Sequence, residues 1–478
     1  MDIVFVDIVN IFLPETLLFG LIILNLLLSL FFGNVLYKFS GRFALLSILI
    51  PLASIAFGIS HAGYTVFGGA YISTVFTMIM KVLILMGAFF TVILSQNITK
   101  RIRYRAFEYY TLILTATFGA MCLVSANDFI PMFIALETMT VSVCMLIGFH
   151  NRYQSKEAAV KYLLSSVISS GILLFGISYL YGMCGELNYS LINNAYFGQD
   201  NSLLFVISCI FIICGLSFQT ANIPFQSALP DTVQGSSYPV GAFITTIPVI
   251  AGFSALLRII TYIMCDSPIL QLFIGIIAIL TVLYGATGAI RQTNFKRAAA
   301  YSSVIQCGFM MLAAGVFSAY GITSFIFYII VYLFMNIGIW SAGLTFVACT
   351  ESDEIKDYAG IFYVRPYYAS AFIFCLMALA GLPPASGFLA KLFLFVSVMR
   401  QDGSGLVFLI PALILAAVAL YFYANLIKAM FQRKQCKNIA TKQMNTKIVL
   451  YFCTVMTGLI FIFADFISKL SIFASFGI

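Results

Sequence analysis

Charged residues are scarce in this sequence. Asp, Glu, Lys and Arg make up only 9% of the 478 residues, whereas hydrophobic residues make up 62%, and the mean hydropathy is +1.05. A soluble domain usually has about 25% charged and about 45–50% apolar residues. A globular core cannot bury this much apolar surface. The composition therefore excludes cytosolic enzymes, secreted scaffolds and nucleic-acid-binding proteins, and it predicts an integral membrane protein.

Metal-binding and redox motifs are also missing. The two histidines, His61 and His150, are far apart in the sequence, and the eleven cysteines form no CxxC pair. Zinc, haem and iron–sulfur sites need Cys and His ligands at characteristic short spacings. We therefore expect no metal and no cofactor in this chain. The cysteines are interpreted as small buried hydrophobic residues.

The sequence consists largely of long apolar runs. About 20 apolar residues are enough for a helix to cross a bilayer. Fourteen such runs lie between polar breaks, which predicts an all-α polytopic membrane protein with about 14 transmembrane helices. The predicted spans are 11–32, 42–62, 71–95, 107–124, 129–149, 157–182, 202–222, 232–262, 268–290, 298–318, 320–348, 367–399, 405–430 and 447–475.

The basic residues indicate how these spans are oriented. The net charge is +8, but Lys and Arg are scattered singly between the apolar runs, which does not indicate a nucleic-acid partner. Lys and Arg accumulate in the cytoplasmic loops of membrane proteins. With the N-terminus outside, eighteen of them fall in inside loops and only Arg400 and Lys469 at outside ends. We therefore expect both termini outside, in the bacterial cell (inner) membrane rather than the mitochondrial inner membrane.

Three ionisable residues lie deep within apolar runs: Glu137, Lys81 and Lys391. A charge at bilayer depth costs at least about 2.5–3.5 kcal/mol, so such residues usually face the protein interior or a water path. We interpret these three as functional, in a path for protons or cations. A buried lysine can give up its proton because burial disfavours the charged form, and a nearby carboxylate restores it.

Three further basic residues lie nearer the ends of their spans. Lys161 is about one turn inside its helix, where a functional and a structural role are equally supported. Arg258 and Lys428 lie within a turn or two of a helix end. Long basic side chains can reach the interface from such positions. We therefore favour a structural role for Arg258 and Lys428.

Proline-containing breaks occur at residues 222–231, after the seventh apolar run, and at residues 381–387, in the middle of the twelfth. Proline removes a backbone donor, and in a membrane the freed backbone groups must face protein or water. Two such breaks five helices apart predict two related halves with ion sites at the breaks. The alternative is a pair of unrelated kinks, but Lys391, close after the second break, favours an ion path. The prolines are Pro224, Pro230, Pro383 and Pro384.

Uncharged polar residues on the tenth span are candidates to extend such a path. Ser302, Ser303 and Gln306 lie on consecutive turns of one predicted helix. Hydroxyl and amide groups can relay protons where water bridges the gaps between them. Serines on membrane helices are equally well explained by helix–helix packing.

A series of short motifs resembles one known family. Each motif is weak alone, but their order and spacing along nearly the whole chain resemble the antiporter-like membrane subunits of respiratory complex I, and subunit N of the bacterial NADH-quinone oxidoreductases in particular. The motifs are Leu13-Pro-Glu15, Met80-Lys-Val-Leu83, Phe107-Glu-Tyr109, Ser125-Ala-Asn-Asp128, Leu136-Glu137, Glu157-Ala-Ala-Val-Lys-Tyr162, Ser169-Ser-Gly171, Pro230-Asp-Thr-Val-Gln-Gly235, Gln292-Thr-Asn-Phe-Lys-Arg297, Tyr301-Ser-Ser303, Gly381-Leu-Pro-Pro384, Gly387-Phe388 and Lys391.

The resemblance implies fourteen helices, two inverted five-helix repeats with broken seventh and twelfth helices, and a proton path through the membrane. Glu137 would be the charged residue of the fifth helix and Lys391 the terminal lysine of the twelfth. Quinone, NADH, flavin and iron–sulfur clusters would be bound by partner subunits, both membrane and peripheral. A single membrane domain would then comprise residues 1–478, with three N-terminal helices in 1–95, repeats in 107–262 and 268–430, and a C-terminal helix in 447–478.

The sequence departs from the family pattern where that pattern has lysine or histidine. Gln219 and Val249 occupy the usual lysine positions of the seventh and eighth helices, and Gln226 and Gln306 occupy frequent histidine positions. Glutamine can hold a water molecule but cannot carry a proton as lysine does. The partner expected for Glu137 is therefore missing. We expect a subunit with a weakened or rerouted proton path.

Two alternatives compete with this interpretation. One is the D component of an Mrp-type cation/proton antiporter, which Gly381-Leu-Pro-Pro384 and Gln306 would also fit. Against it are Leu13-Pro-Glu15, Met80-Lys-Val82 and Val233-Gln-Gly235, which resemble subunit N. The other alternative is a structural subunit that has lost transport, which the missing lysines support.

Overall fold

The structure is a computed structural model that describes residues 11–58, 63–102, 105–196, 203–264, 267–401, 405–432 and 444–475. Predictions about the chain termini and about the basic loop at 433–443 lie outside these residues. The described residues form 19 α-helices and one short hairpin. The helices are α1 Leu13–Leu36, α2 Ser40–Gly58, α3 Val75–Ile102, α4 Ala106–Ser125, α5 Phe129–Ile147, α6 Tyr153–Cys184, α7 Tyr189–Tyr196, α8 Leu203–Leu216, α9 Ala228–Gly235, α10 Tyr238–Ile263, α11 Pro268–Ile290, α12 Phe295–Ala314, α13 Ala319–Thr350, α14 Ile361–Val364, α15 Pro366–Ala380, α16 Ser386–Met399, α17 Gly405–Met430, α18 Met444–Ile462 and α19 Ala464–Ser475.

The all-α membrane fold is confirmed, but the count of fourteen spans is not. Eleven helices of the described chain are long and apolar enough to cross a membrane. The other three predicted spans, the seventh, tenth and twelfth, coincide with the short helix α8, with α12, and with the pair α15 and α16. The inverted relation of the repeats and the bounds of the domains stay predictions.

The two predicted breaks are present in the backbone. The seventh span ends as a helix at Leu216, and helix α9 follows only at Ala228. The twelfth span is divided into α15 and α16, because Gly381 takes a left-handed conformation with φ of 82° and the two prolines follow it. Both breaks therefore leave helix ends within the predicted membrane region, where backbone groups are free to bind side chains.

Several predicted boundaries are wrong by a few residues. Hydropathy starts the third span at residue 71, but α3 begins at Val75 because residues 64–73 form an antiparallel hairpin, β1 Tyr64–Val66 and β2 Tyr71–Ser73. The tenth begins earlier than predicted, at Phe295, because the Asn294 side chain accepts hydrogen bonds from the backbone N–H groups of Lys296 and Arg297. Such N-caps fix helix starts that hydropathy cannot locate.

The chain divides into two compact units. The first consists of Met1–Thr220, Ile247–Leu270 and Phe473–Ile478, and the second of Ala221–Thr246 and Gln271–Ile472. In the first unit α4 packs closely on α5, where a Cβ at Gly119 would lie 2.8 Å from the backbone nitrogen of Met139. In the second unit α13 contacts α12, α15, α16 and α18 and is buried over most of its length. Small residues permit such close helix contacts in membranes.

The mixed-charge loop of the second unit is docked on a helix end. The Asp353 carboxylate lies 3.2 Å from Lys296 Nζ and accepts a 2.8 Å hydrogen bond from the Tyr238 hydroxyl. The backbone N–H of Phe295 donates to the Asp353 carbonyl at 2.8 Å. From the sequence, residues 351–357 could be a solvated surface or a contact, and within this unit the loop makes a contact.

Candidate functional site

The first unit contains a fully buried ion pair that joins α1, β2 and α3. Lys81 Nζ lies 2.8 Å from Glu15 Oε1, and the exposed fractions of the two side chains are 2% and 0%. The Tyr71 hydroxyl donates to Glu15 Oε1 at 2.5 Å, and Lys81 Nζ donates to the Tyr71 oxygen at 3.0 Å. We call Glu15, Tyr71 and Lys81 the buried triad. Its three polar groups contact one another, so the charge of Lys81 is neutralised where it lies.

Two members of the buried triad are not among the site residues that the sequence predicts. Glu15 belongs to a motif that carries the family resemblance, and Tyr71 lies in a segment that hydropathy predicts to be helical. Burial, and then the negative charge of Glu15, raise the pKa of the Tyr71 phenol well above its usual value of 10.0. Tyr71 therefore stays protonated and donates its hydrogen bond. Glu15 Oε2 has no hydrogen-bond partner among the described residues.

Glu137 lies on α5 and is surrounded by hydroxyl groups. The Ser170 hydroxyl of α6 donates to Glu137 Oε1, and the Thr140 hydroxyl donates to Glu137 Oε2 at 3.3 Å. Glu137 is half-buried, and no ion pair with it is found in the described part of the chain. The carboxylate is therefore held by neutral donors rather than by a lysine.

Lys161 does not form an ion pair with Glu137, and Gln219, which is uncharged, cannot form one. Gln219 lies just after α8 and is buried, and its Cβ is 2.7 Å from where a Cβ at Gly252 would lie. Its amide nitrogen has no hydrogen-bond partner among the residues that the structure describes. Lys161 lies on a half-exposed face of α6, 2.7 Å from Glu157. Val249 on α10 is buried and apolar.

Lys391 lies at the second break, in the second unit. It is 5% exposed, and its Nζ donates to the carbonyls of Leu379 at 2.8 Å and of Ala380 at 2.9 Å. Both carbonyls belong to the last turn of α15, which Gly381 ends. A helix C-terminus has unpaired carbonyls and a partial negative charge, so it binds a cation without a carboxylate. No ion pair of Lys391 is found among the described residues.

Gln306 contacts the same helix end as Lys391. Its Nε2 donates to the Leu379 carbonyl at 3.1 Å and to the Tyr423 hydroxyl at 2.9 Å, while the Tyr328 hydroxyl donates to Gln306 Oε1 at 2.5 Å. The Ser302 and Tyr423 hydroxyl oxygens lie 2.7 Å apart. The Leu379 carbonyl therefore connects Lys391 to a buried chain of amide and hydroxyl groups. We call Lys391, Gln306, Tyr328, Tyr423 and Ser302 the Lys391 cluster.

Ser303 belongs to a second polar group on the other side of α12. Its hydroxyl donates to Asn336 Oδ1 at 3.1 Å, and Asn336 Nδ2 donates to the hydroxyls of Thr245 and Thr246, each at 2.9 Å. Ser302 and Ser303 thus contact different partners. Asn336 is not among the residues singled out from the sequence, although an amide within a long apolar run is a detectable signal.

The prolines of the first break lie in the second unit. Pro224 follows a cis peptide bond, and the preceding Ile223 N–H donates to the Thr281 hydroxyl at 3.1 Å. Pro230 is buried within α9. At the second break Pro383 and Pro384 separate α15 from α16, again with a cis peptide bond between them. Pro383 and Pro384 therefore lie between two helix ends, whereas Pro230 lies inside α9 and Pro224 lies in the segment between α8 and α9.

Arg258 does not reach an interface as the sequence suggests but is buried, whereas Lys428 is exposed. Arg258 is 1% exposed, and its guanidinium donates to the carbonyls of Val124 at 3.3 Å and Ala126 at 2.7 Å and to Asn127 Oδ1 at 2.9 Å. It binds the free carbonyls at the end of α4, where a positive charge is favoured. Lys428 is exposed in the last turn of α17.

The sequence matches one family model and many known proteins. A model described as NADH:quinone oxidoreductase/Mrp antiporter, TM, matches residues 126–418. A protein of Moorella thermoacetica named NADH-quinone oxidoreductase subunit N is 35% identical over 386 residues, which cover 80% of each chain. The fold is also similar to that of solved membrane complexes.

Two solved structures show this similarity of fold. A chain of respiratory complex I from Thermus thermophilus with bound aureothin aligns with a TM-score of 0.80 at 26% identity, covering 95% of this chain and 98% of that one. A chain of the Mrp complex from Dietzia sp. aligns with a TM-score of 0.83 at 17% identity, covering 97% of both chains. Each of these neighbours is one chain of a multi-subunit membrane complex.

Proposed function

The chain belongs to the NADH:quinone oxidoreductase/Mrp antiporter family of membrane subunits, and we propose that it is the antiporter-like subunit N of a proton-translocating NADH-quinone oxidoreductase. In this role it would contribute to proton movement that is driven by electron transfer from NADH to quinone. The identity to proteins named subunit N supports this assignment. The similarity to the Mrp complex, at 17% identity, supports the fold alone.

The contacts of buried Lys391 with the end of α15 are the observation that carries the proposal. Lys391 is buried, is hydrogen-bonded to two backbone carbonyls and lies over the Phe309 ring, and no carboxylate holds its proton among the described residues. The acceptors of a helix C-terminus favour the charged form of lysine, whereas burial disfavours it. Lys391 is therefore poised to take up a proton at the break and to release it when a nearby charge changes.

The other members of the Lys391 cluster would position this lysine and order water around it. Gln306 and Lys391 share the Leu379 carbonyl, so Gln306 fixes the helix end on which Lys391 depends. The hydroxyls of Tyr423 and Ser302 can both donate and accept, which an unbroken proton relay requires. Gln306 itself cannot carry a proton, so a water molecule would have to carry the proton between the groups on either side of it.

Glu137 would serve as the proton-handling group of the first unit, with a weakened path. Gln219 and Val249 replace the lysines that the resemblance implies, and the described partners of Glu137 are hydroxyls. Lys81 and Lys161 remain candidates for the path, although each is paired with a glutamate. We propose that this chain has fewer charge-carrying steps than a subunit with both lysines.

Electron transfer would take place on other subunits of the assembly. The sequence has two distant histidines and no CxxC pair, which does not fit the ligand sets of haem or iron–sulfur clusters. Among the residues that the structure describes, no group of three His, Cys, Asp or Glu side chains could hold a metal ion. We propose that partner subunits bind NADH, flavin, iron–sulfur clusters and quinone.

A native gel tests the assignment. The tagged chain is solubilised from its native membrane in mild detergent, and the gel is stained for NADH dehydrogenase activity. Subunit N should migrate with that activity. Migration in a complex without flavin and iron–sulfur would instead support the Mrp-type antiporter.

Proton pumping by membrane vesicles then tests the role of Lys391. We expect Lys391→Met to reduce NADH-driven quenching of a pH-sensitive dye while the complex still assembles. Lys428→Met is the matched control, because this lysine is exposed in the last turn of α17. Full pumping by Lys391→Met would support a structural subunit that moves no protons through this cluster.

The basic loops indicate the orientation that we propose. With the basic loops in the cytoplasm, both termini would lie outside the bacterial cell (inner) membrane. The variant Ile478→Cys would check this orientation. Labelling of the new cysteine from outside intact spheroplasts is expected, and labelling only after lysis would refute it.

A further inference from the structure

A cavity of about 320 Å³ opens beside the end of α16 in the second unit. Its walls are mainly apolar and aromatic, with Phe327 from α13 and Leu392, Phe393 and Val396 from α16. Leu392 and Val396 are four residues apart, on one face of α16, and both are more than a third exposed. The cavity is therefore a groove between two membrane helices that is open to the surroundings of the chain. This volume is within the usual range of small-ligand sites.

One positive charge lies at the end of this groove. Arg400 caps α16, and its guanidinium carbon lies 4.3 Å from the centroid of the Tyr320 ring. No ion pair of Arg400 is found in the described part of the chain. The guanidinium lies over the ring, and no hydrogen bond from it to another side chain is found among the described residues. A guanidinium binds phosphate through two parallel hydrogen bonds.

The position of Arg400 runs against the distribution of charge in the rest of the chain. Arg400 and Lys469 are the only basic residues at the predicted outer ends of the spans. Arg400 and Ser468, the neighbour of Lys469, line the same cavity. Lys469 is neutralised by Asp465 at 2.7 Å, which leaves Arg400 as the cation of this cavity. Lys and Arg are disfavoured at the outer ends of membrane helices. Arg400 is an exception to this pattern, and a bound anion would account for it.

We propose that this cavity binds one anionic phospholipid, with its phosphate on the Arg400 guanidinium and one acyl chain in the groove between α13 and α16. The positive charge of Arg400 complements the negative phosphate of the head group, and the apolar walls of the groove can bury the acyl chain. The hydroxyls of Ser324 and Ser397, 3.2 Å apart, line the same groove, and each has a hydrogen-bond partner. An acyl chain in the groove would therefore not leave these hydroxyls buried without a hydrogen bond. A soluble anion would use the arginine but leave the apolar walls uncovered.

Lipid analysis of the assembled complex tests this site. The complex is purified in mild detergent with Arg400→Gln, Arg400→Lys or Thr323→Trp, and the retained phospholipids are counted by mass spectrometry. Wild type should retain about one more anionic lipid per complex than Arg400→Gln. Thr323→Trp should lose the same lipid with the arginine intact, because the indole would fill the groove. Arg400→Lys should bind more weakly, because lysine lacks the planar fork.

A matched control and three outcomes decide the result. Arg365→Gln removes a second arginine that lies over a tyrosine ring, that of Tyr368, and it should retain the wild-type lipid number. Equal retention in all variants overturns the proposal. So does thermal stabilisation of wild type by inorganic phosphate as strong as by phosphatidylglycerol vesicles, which would indicate a free-anion site. Loss of a neighbouring subunit from Thr323→Trp with unchanged lipid would indicate a protein interface and would also overturn it.

Discussion

Replacement of Glu15 by Gln should destabilise the chain strongly, because it leaves the Lys81 charge buried without a counter-charge. Both side chains of this pair are at most 2% exposed, and Nζ and Oε1 are 2.8 Å apart. Removal of one partner from a buried ion pair costs about 3–5 kcal/mol. About 1.4 kcal/mol corresponds to a tenfold change in an equilibrium constant, so the ratio of folded to unfolded chain should fall by roughly 10²- to 4 × 10³-fold.

The double variant Glu15→Leu/Lys81→Met should recover most of this loss. Replacement of a whole buried ion pair by apolar residues of similar volume is often neutral or stabilising. The assay is the amount of assembled complex on a native gel, together with its thermal unfolding midpoint in detergent. Lys469→Met serves as the matched control, because its pair with Asp465 is exposed and contributes little.

Two results would refute this reasoning. If Glu15→Gln assembles as well as wild type, the pair is not a buried charge pair in the membrane. If the double variant is as defective as the single variant, the energy of the buried triad comes from something other than charge neutralisation. Proton pumping by the assembled double variant also tests Lys81 as a candidate for the path: a reduced yield of protons per NADH supports that prediction, and a wild-type yield removes Lys81 from it.

Three further substitutions test the breaks and the caps. Gly381→Ala should lower the unfolding midpoint of the complex and its pumping, because a φ of 82° costs alanine about 1–3 kcal/mol and the new Cβ would lie 2.7 Å from Lys391 Cδ. Arg258→Lys should reduce assembly, because lysine cannot keep all three hydrogen bonds of the guanidinium, each worth about 1.5–3 kcal/mol. Gln219→Lys should raise the number of protons moved per NADH, measured by dye quenching, if the new charge reaches Glu137. An unchanged yield would show that the missing lysine does not limit the path.

The spans and the breaks could be predicted from the sequence because membrane helices are set by composition. Apolar runs and proline positions are local properties, and each predicted run overlaps one or two helices of the structure. The break at Gly381 follows from glycine and proline chemistry, whereas the helix that ends at Leu216 stops eight residues before the first proline, Pro224. Lys391 could be singled out for the same reason, since a charge in an apolar run is visible without knowledge of the fold.

The partners of the buried charges could not be predicted in this way. Glu15 contacts Lys81 directly, and a hairpin places Tyr71 against both, but hydropathy assigns the second strand of that hairpin to a helix. The carbonyls that bind Arg258 and Lys391 belong to the backbone, and every residue has a carbonyl. Which of them remain free depends on where a helix ends in space.

Two kinds of buried charge can therefore be distinguished in this chain. In the buried triad a glutamate and a lysine neutralise each other, so moving a proton out of it would leave an uncompensated charge in a region of low dielectric constant. Lys391 is bound by carbonyl dipoles and Glu137 by hydroxyls, and neither has an opposite charge among its described partners. Gain or loss of a proton at these two residues breaks no ion pair. On this basis we propose Lys391 and Glu137, rather than Lys81, as exchange sites, and we propose that Gln219 weakens the coupling between charges without changing the fold.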